Sequence, residues 1–247
     1  MKINLFKELS AYKNLFRSPS KVPKQIFMIL SRGRSGSELL RSLLNSHPEI
    51  YCDGEIFTDK LILSPKLFLK GMAKKQSVRL YGYKAKPFHL KRQFNQISRI
   101  KSEFFTPEIK IIYLKRLNIL RQAISVQIGN QKNRWHDTIE TGTLNKKFVI
   151  DYEELIMQIK SFEKNEKREK EFLKNIRYHQ IIYENDLLSA ENHQTTLDLV
   201  FSYLGVNSIQ VQTNYIRSTT DHLSDFIKNH DEIISKIKKT DYNRYLE

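Results

Sequence analysis

The chain of 247 residues contains a single cysteine, Cys52, so an intramolecular disulfide and a cysteine-based zinc site are both excluded. Long apolar runs are also lacking, and the longest, residues 26–30, is far too short to cross a bilayer. Residues 1–18 show neither a long apolar core nor a small-residue cleavage site, so we identify no signal peptide there. These absences predict a cytoplasmic protein.

Acidic residues are few relative to basic ones, which gives a net charge of +15. Such a surplus favours anionic partners such as nucleotides, nucleic acids, acidic lipids or anionic sugars. The cations are spread from Lys2 to Arg244 and are not interleaved with aromatics on one face, so we do not expect nucleic-acid binding. In the N-terminal arm, residues 1–22, apolar residues alternate with lysines. This pattern is typical of a docking helix or of peripheral membrane contact.

Apolar runs that alternate with helical patterns predict an α/β fold, in which a parallel β-sheet is flanked by helices. The strand candidates are residues 26–31, 79–84, 110–114 and 179–183. We predict one domain over residues 1–247, with residues 131–175 as a helical insertion on the acceptor side. Within that insertion, residues 131–147 resemble a polar loop and residues 153–174 a solvated outer helix.

The first strand candidate runs directly into a glycine-rich turn that contains Arg34, Ser35, Gly36 and Ser37, and a helical pattern follows. A strand, a glycine-rich turn and a helix aim backbone N–H groups at an anion. The alternative is an ordinary glycine–serine turn with an exposed arginine. Because no lysine follows Gly36, the loop departs from the signature of nucleotide triphosphatases, which argues against a kinase-like enzyme.

The third strand candidate ends in Lys115 and Arg116, and the helical pattern after it carries Ser125. Arginine can hold a phosphate through a two-pronged set of hydrogen bonds. The carboxyl ends of parallel strands are also where ligands bind in open α/β sheets. We therefore predict a second phosphate-binding position here.

Taken together, residues 27–57, 109–126 and 183–188 resemble the PAPS-dependent sulfotransferases, especially the bacterial carbohydrate sulfotransferases. The resemblance implies the P-loop-type sulfotransferase fold and PAPS (3′-phosphoadenylyl sulfate) as co-substrate. It also implies transfer of a sulfuryl group to a hydroxyl of an acceptor, either a small molecule or more specifically a glycan or glycolipid.

The resemblance also implies roles for individual residues. The 5′-phosphosulfate would be bound by Arg34, Ser35, Gly36 and Ser37. The 3′-phosphate would be bound by Arg116 and Ser125, and Arg217 would add a further basic contact to the cofactor. Arg34 would in addition stabilise the oxygen of the leaving group.

On the acceptor side, the resemblance assigns Glu55 as the general base, although the preceding Asp-Gly pair is also compatible with an exposed turn. Lys84 and His89 are further candidates for contacting the substrate. For them the alternatives are an ordinary edge-strand lysine and an exposed histidine without a role. The spacing of the histidines matches no metal site, so we predict none.

Position 38 departs from the resemblance, because many sulfotransferases have serine or threonine where this chain has Glu38. We expect this carboxylate to point away from the phosphosulfate, for example to cap its own helix. The departure also keeps open a non-catalytic protein that binds such nucleotides as a scaffold. The oligomeric state cannot be read from the sequence.

Overall fold

The computed structural model describes residues 5–17, 23, 25–58, 60–133, 135–140, 146–217 and 219–246. Five parallel strands form the central sheet in the order β2-β3-β1-β4-β6. These strands are β1 (Gln25–Ser31), β2 (Ile50–Glu55), β3 (Leu80–Ala85), β4 (Ile109–Lys115) and β6 (Tyr178–Ile182). All four strand candidates are confirmed to within one residue at each end, and so is the α/β fold class.

The middle of the sheet is buried on both faces, which explains why its strands read as continuous apolar runs. On β1, Phe27 and Ile29 pack into one hydrophobic cluster, whereas Met28 and Leu30 pack into another on the opposite face. All four side chains are fully buried.

Helices cover both faces of the sheet. Those in the described parts of the chain are α1 (Leu5–Arg17), α2 (Ser37–Asn45), α3 (Pro65–Lys75), α4 (Pro87–Gln93), α5 (Ile97–Phe104), α6 (Ile119–Lys132), α7 (Tyr152–Leu173), α8 (His193–Leu204) and α9 (His230–Lys238). One face packs against α2 and α8, and the other against α1, α3, α4 and α5. A third cluster joins α6, α7 and α9 beside the sheet.

Two helix ends follow directly from local sequence. Asn118 caps α6, because its side chain accepts a hydrogen bond from the backbone N–H of Arg121. Gly205 ends α8 in the left-handed conformation, with φ at 83°.

The charged segment 153–174 is helical, but it is not simply a solvated outer helix. Helix α7 buries Leu155, Ile159, Phe172 and Leu173 together with the carboxylate of Glu169. The prediction of a solvated helix is wrong on this face, because apolar residues recur at helical spacing among the charges.

The two segments predicted to lie outside the sheet are only partly described. Within the N-terminal arm, α1 packs against α3, whereas residues 1–4, 18–22 and 24 lie outside the described residues. Within 131–175, the short strand β5 (Asp137–Thr138) pairs antiparallel with β7 (Tyr215–Ile216). Residues 134 and 141–145 lie outside the described residues.

Candidate active site

The loop between β1 and α2 carries the first group of predicted site residues. Arg34 and Gly36 both have positive φ angles, 60° and 89°, so the backbone turns sharply before α2 begins. At position 36 a Cβ atom would also lie 2.5 Å from Cδ2 of Tyr183. The position therefore requires glycine for two reasons, and the loop leads its backbone N–H groups into a helix N-terminus.

Three of the predicted residues are joined at this loop. Arg34 Nε donates a hydrogen bond to Ser125 Oγ at 2.9 Å, and Arg116 Nη1 donates to the carbonyl oxygen of Arg34 at 3.0 Å. Arg116 directly follows β4, and Ser125 lies about two turns into α6. The carboxyl ends of β1 and β4 thus bring the residues predicted for the two phosphates into one cluster.

A cavity of about 350 Å³ opens beside this cluster. We call it the donor cavity, after the nucleotide donor that the sequence resemblance implies. The predicted residues that line it are Arg34, Gly36, Ser37, Arg116, Ser125 and Arg217. Ser35 instead lies buried beneath the loop, where its hydroxyl donates to the carbonyl oxygen of Arg32 at 2.8 Å. Its side chain therefore shapes the loop.

Two guanidinium groups face the donor cavity at close range. Burial, and after it the charge of Arg116, lowers the pKa of Arg34 to about 10. Burial also lowers the pKa of Arg116, although the neighbouring Tyr183 and Glu184 oppose this effect. The Arg116 guanidinium lies 4.8 Å from the centre of the Tyr183 ring. Two like charges held together in a partly buried site favour a multiply charged anion between them.

A second charged cluster lies at the carboxyl ends of β2 and β3. Glu55 Oε1 lies 3.0 Å from Lys86 Nζ and 3.8 Å from Lys84 Nζ, and its Oε2 lies 3.8 Å from His89 Nδ1. Lys84 also donates a hydrogen bond to Glu38, which lines the donor cavity. The predicted base therefore lies beside the donor cavity, linked to its wall through Lys84.

This architecture was compared with known proteins. A crystal structure of a sulfotransferase from Alicyclobacillus acidocaldarius superposes with a TM-score of 0.50 at 16% sequence identity. The match covers 91% of this chain and 99% of the other. The chain has the fold of a sulfotransferase.

The other comparisons add little to this fold assignment. A mouse sulfotransferase, SULT7A1, whose structure contains PAP, matches over 98% of this chain and 93% of its own. Its identity is 15% and its TM-score 0.45, too loose for residues to be compared. No protein-family model matches the chain, and no curated protein sequence is significantly similar to it.

On this sulfotransferase fold, Glu38 does not point away from the site. Its carboxylate lines the donor cavity, accepts from Lys84 and accepts from Arg41 Nε at 2.7 Å, and it makes no cap on α2. Burial alone would raise the pKa of Glu38, but Lys84 and Arg41 outweigh burial and hold the pKa below its ordinary value. The expectation that this side chain would turn away is wrong, because two cations neutralise it in place.

The structure also contradicts the expectations that Lys84 lies on an edge strand and that His89 is exposed. Strand β3 is internal to the sheet, and Lys84 is only 5% exposed, so it is not an edge-strand lysine. His89 is likewise 5% exposed and faces Glu55. Both side chains are thus held within the second charged cluster.

Arg217 reaches the donor cavity from the segment after β7. Its guanidinium donates to Asp221 Oδ1 at 2.6 Å and to the carbonyl oxygen of Thr220 at 3.1 Å. Arg217 thus lines the same cavity as Arg34 and Arg116, and the carboxylate of Asp221 is its partner.

Several residues on the cavity wall were not predicted from the sequence. Tyr183, Trp135 and His136 all line the donor cavity, and Trp135 accepts a hydrogen bond from Arg34 through its backbone carbonyl. Burial is the largest influence that lowers the pKa of His136, to about 4, so its imidazole is neutral at pH 7. The aromatic residues at 135 and 183 beside cationic motifs were the available signal, because aromatic faces commonly stack on nucleotide bases.

The described residues contain neither a group of side chains that could hold a metal ion nor a helix that could span a membrane. In the parts of the chain that the structure describes, no three histidine, cysteine or carboxylate side chains group closely enough to hold a metal ion. Over the same residues, no helix combines the length and apolar character needed to traverse a bilayer.

Proposed function

We propose that the protein is a PAPS-dependent sulfotransferase that transfers a sulfuryl group to a hydroxyl of a carbohydrate or glycolipid acceptor. The observation that carries this proposal is the direct contact of Arg34, Arg116 and Ser125 at the carboxyl ends of β1 and β4. PAPS carries phosphate groups at the 5′ and 3′ positions of its ribose, so its site needs cations and hydroxyls at two adjacent positions. The fold of the chain supports the same assignment.

In this proposal the loop amides and Ser37 bind the 5′-phosphosulfate at the N-terminus of α2. Arg116, Ser125 and Arg217 bind the 3′-phosphate, which distinguishes PAPS from ordinary adenine nucleotides. Tyr183 borders the same cavity and offers an aromatic face to the nucleotide.

The transfer itself follows the pattern of in-line phosphoryl transfer through a loose transition state. The acceptor oxygen forms a new bond to sulfur as the bond from sulfur to the bridging phosphate oxygen breaks. Arg34 stabilises the negative charge that develops on that bridging oxygen. PAP, the bisphosphate product, keeps the electron pair of the broken bond.

The acceptor loses its proton to Glu55 in the same proposal. The carboxylate of Glu55 is 24% exposed and borders the donor cavity through Lys84. Lys84 and Lys86 lie 3.8 Å and 3.0 Å from Oε1 of Glu55 and orient its carboxylate. His89 contacts the same carboxylate, where it orients either the base or the acceptor.

A non-catalytic nucleotide-binding scaffold is the second candidate, and the position of Glu38 favours it. A carboxylate on the wall of the donor cavity repels an anionic donor unless it is neutralised. Lys84 and Arg41 provide that neutralisation, so we rank the enzyme first.

Thermal unfolding of the full chain with PAP, with AMP and with ATP plus Mg²⁺ tests the donor site. At one hundred times its Kd a ligand stabilises a protein by about 2.7 kcal/mol. We expect strong stabilisation by PAP alone, its loss in Arg116→Ala, and its retention in the control Arg79→Ala. Arg79 forms an ion pair with Glu49 away from the cavity. Stabilisation by ATP and Mg²⁺ without PAP would support a kinase-like enzyme instead.

Turnover of PAPS with a panel of sugars and glycolipids then tests the chemistry. Removing a positioned base lowers the rate by about 10²–10⁴-fold. We expect that loss in Glu55→Gln with unchanged PAP binding, and a normal rate in the control Glu49→Gln. If PAP binds but no acceptor is sulfated, the result favours the non-catalytic scaffold over the enzyme.

A further inference from the structure

Helix α1 presents an apolar stripe to solvent. Leu5, Leu9 and Phe16 fall on one side of the helix and are 54%, 62% and 78% exposed, and Phe6 beside them is 88% exposed. On the opposite side, Glu8 and Ala11 are buried. The helix is thus amphipathic, but its most apolar side faces solvent and not the protein.

The helix that carries this stripe is firmly held on the protein. The buried carboxylate of Glu8 accepts hydrogen bonds from the backbone N–H groups of Leu63 and Ser64 at 3.0 and 2.8 Å. The carbonyl of Ala11 packs so tightly on Gly71 of α3 that a Cβ there would lie 2.1 Å from the oxygen. Because α1 is fixed by these contacts, its outward stripe is a stable feature of the surface.

The beginning of α3 extends the stripe. Leu63, which is bonded to Glu8, is 62% exposed, and Leu67 on the next turn is 42% exposed. We call the six exposed side chains the α1–α3 surface; they are Leu5, Phe6, Leu9, Phe16, Leu63 and Leu67. Isolated exposed leucines are ordinary on protein surfaces, but several large apolar side chains exposed on and beside one pair of packed helices mark an interaction site.

Lysines border the α1–α3 surface, and the exposed carboxylate of Glu108 lies near two of them, Lys66 and Lys70. Four exposed lysines lie on the two helices, namely Lys13, Lys66, Lys70 and Lys75. The one carboxylate within these helices, Glu8, is buried and points inward. An apolar stripe with a basic border complements an anionic lipid bilayer, because apolar side chains enter the acyl boundary and lysines bind acidic headgroups.

We propose that the α1–α3 surface docks the protein onto anionic membranes. In the docked state the apolar side chains lie in the interface between headgroups and acyl chains. Lys7 of α1 donates to the carbonyl oxygen of Ile56 at 3.4 Å, one residue after Glu55. The docked helix thus borders the segment that carries the candidate base, and its membrane binding is independent of the chemistry at the donor cavity.

Co-sedimentation of the full chain with lipid vesicles tests this proposal. The vesicles are phosphatidylcholine alone or phosphatidylcholine mixed with phosphatidylserine. We expect binding to the mixed vesicles and its loss in the double variant Phe6→Ser with Phe16→Ser. The matched control is Met157→Ser with Leu199→Ser, whose side chains are 64% and 60% exposed elsewhere, and it should bind like wild type.

Charge variants test the basic border separately. Lys13→Gln and Lys70→Gln should each weaken binding to the mixed vesicles by roughly fivefold, which corresponds to about 1 kcal/mol per surface lysine. Unchanged thermal unfolding of every variant shows that the fold is intact. Equal binding to both kinds of vesicle, or none to either, overturns the proposal.

A second copy of the chain is the competing occupant. If wild type forms dimers by light scattering, loses them in Phe6→Ser with Phe16→Ser, and binds no vesicle, the α1–α3 surface is a self-association interface. Vesicle binding is measured without nucleotide, so a failure of the proposed enzymatic function leaves this result unaffected.

Discussion

Removal of the carboxylate of Glu169 should destabilise the protein strongly. Arg32 Nε lies 3.3 Å from Glu169 Oε1, and the two side chains are only 3% and 1% exposed. Arg32 also donates to the carbonyl oxygens of Phe162 and Arg116, so the pair lies directly behind the donor cavity. Breaking a buried ion pair by removing one partner costs about 3–5 kcal/mol, because the other charge stays buried without compensation.

Urea unfolding of Glu169→Gln measures this effect. Glutamine keeps the volume and an oxygen that can accept from the Tyr113 hydroxyl, which now donates to Glu169 at 2.7 Å. The variant therefore removes chiefly the negative charge. The control is Glu166→Gln on the same helix, which breaks a pair with Lys115 whose side chains are 23–24% exposed. Such a solvated pair contributes about 0.2–1 kcal/mol.

The double variant Arg32→Met with Glu169→Leu separates charge from packing. Replacing both members of a buried pair by apolar side chains is commonly neutral or stabilising by about 1–4 kcal/mol. We therefore expect the double variant to recover most of the stability lost in Glu169→Gln. A free energy of unfolding for Glu169→Gln within about 1 kcal/mol of wild type would refute the reasoning, since the charge would then not be buried in solution.

Three shorter predictions concern the loop and its neighbours. Gly36→Ala should destabilise the fold by at least about 2 kcal/mol in urea unfolding, because alanine at positive φ is strained and its Cβ has no room. Gly54→Ala, with nothing within 4 Å, should be nearly neutral. Because the pKa of Glu38 is lower in the folded protein than in the unfolded chain, its ionised carboxylate stabilises the fold at pH values above its ordinary pKa. This stabilisation is lost as the pH falls through the folded pKa. Glu38→Gln should therefore lose less stability than wild type between about pH 5 and pH 3. An equal loss would show that Lys84 does not hold this carboxylate. Ser125→Ala should weaken PAP binding by roughly fivefold in calorimetry, the equivalent of one hydrogen bond of about 1 kcal/mol.

The sheet and the donor cavity were readable from the sequence because their signals are local. A continuous apolar run bounded by a glycine-rich turn specifies β1 and the loop at once. Arg116 and Ser125 could be assigned because the carboxyl ends of parallel strands always meet at one edge of a sheet. Any order of strands that keeps β1 beside β4 brings these residues together.

The second charged cluster was less accessible, because it depends on the order of the strands. Lys84 reaches Glu38 and Glu55 only since β3 lies between β1 and β2. The spacing of residues in the sequence does not specify the order of the strands. The sequence therefore allows an exposed His89 and predicts that Glu38 points away from the site. The geometry of neighbouring strands decides both.

The buried Glu169 shows how charge density conceals a signal. Leu155, Phe162 and Glu169 are separated by seven residues each, so they share one side of α7. Leu155 is buried on this side of the helix, and Glu169 on the same side is buried as well. The composition of the segment indicates only that it is charged. The helical positions of its residues show in addition that a carboxylate occupies a site where an apolar residue is expected.

Two basic surfaces of the chain, the donor cavity and the α1–α3 surface, should respond differently to salt. Arg116 at the donor cavity has a side chain only 13% exposed, whereas Lys13 and Lys70 at the α1–α3 surface are exposed. The screening length falls from about 10 Å at 0.1 M salt to about 3 Å at 1 M, and buried charges are screened far less than exposed ones. Raising salt over this range should therefore release the protein from mixed vesicles while PAP still binds. If PAP binding is lost first, the arginines at the cavity are more solvated than their burial indicates, and the contrast between the two surfaces is wrong.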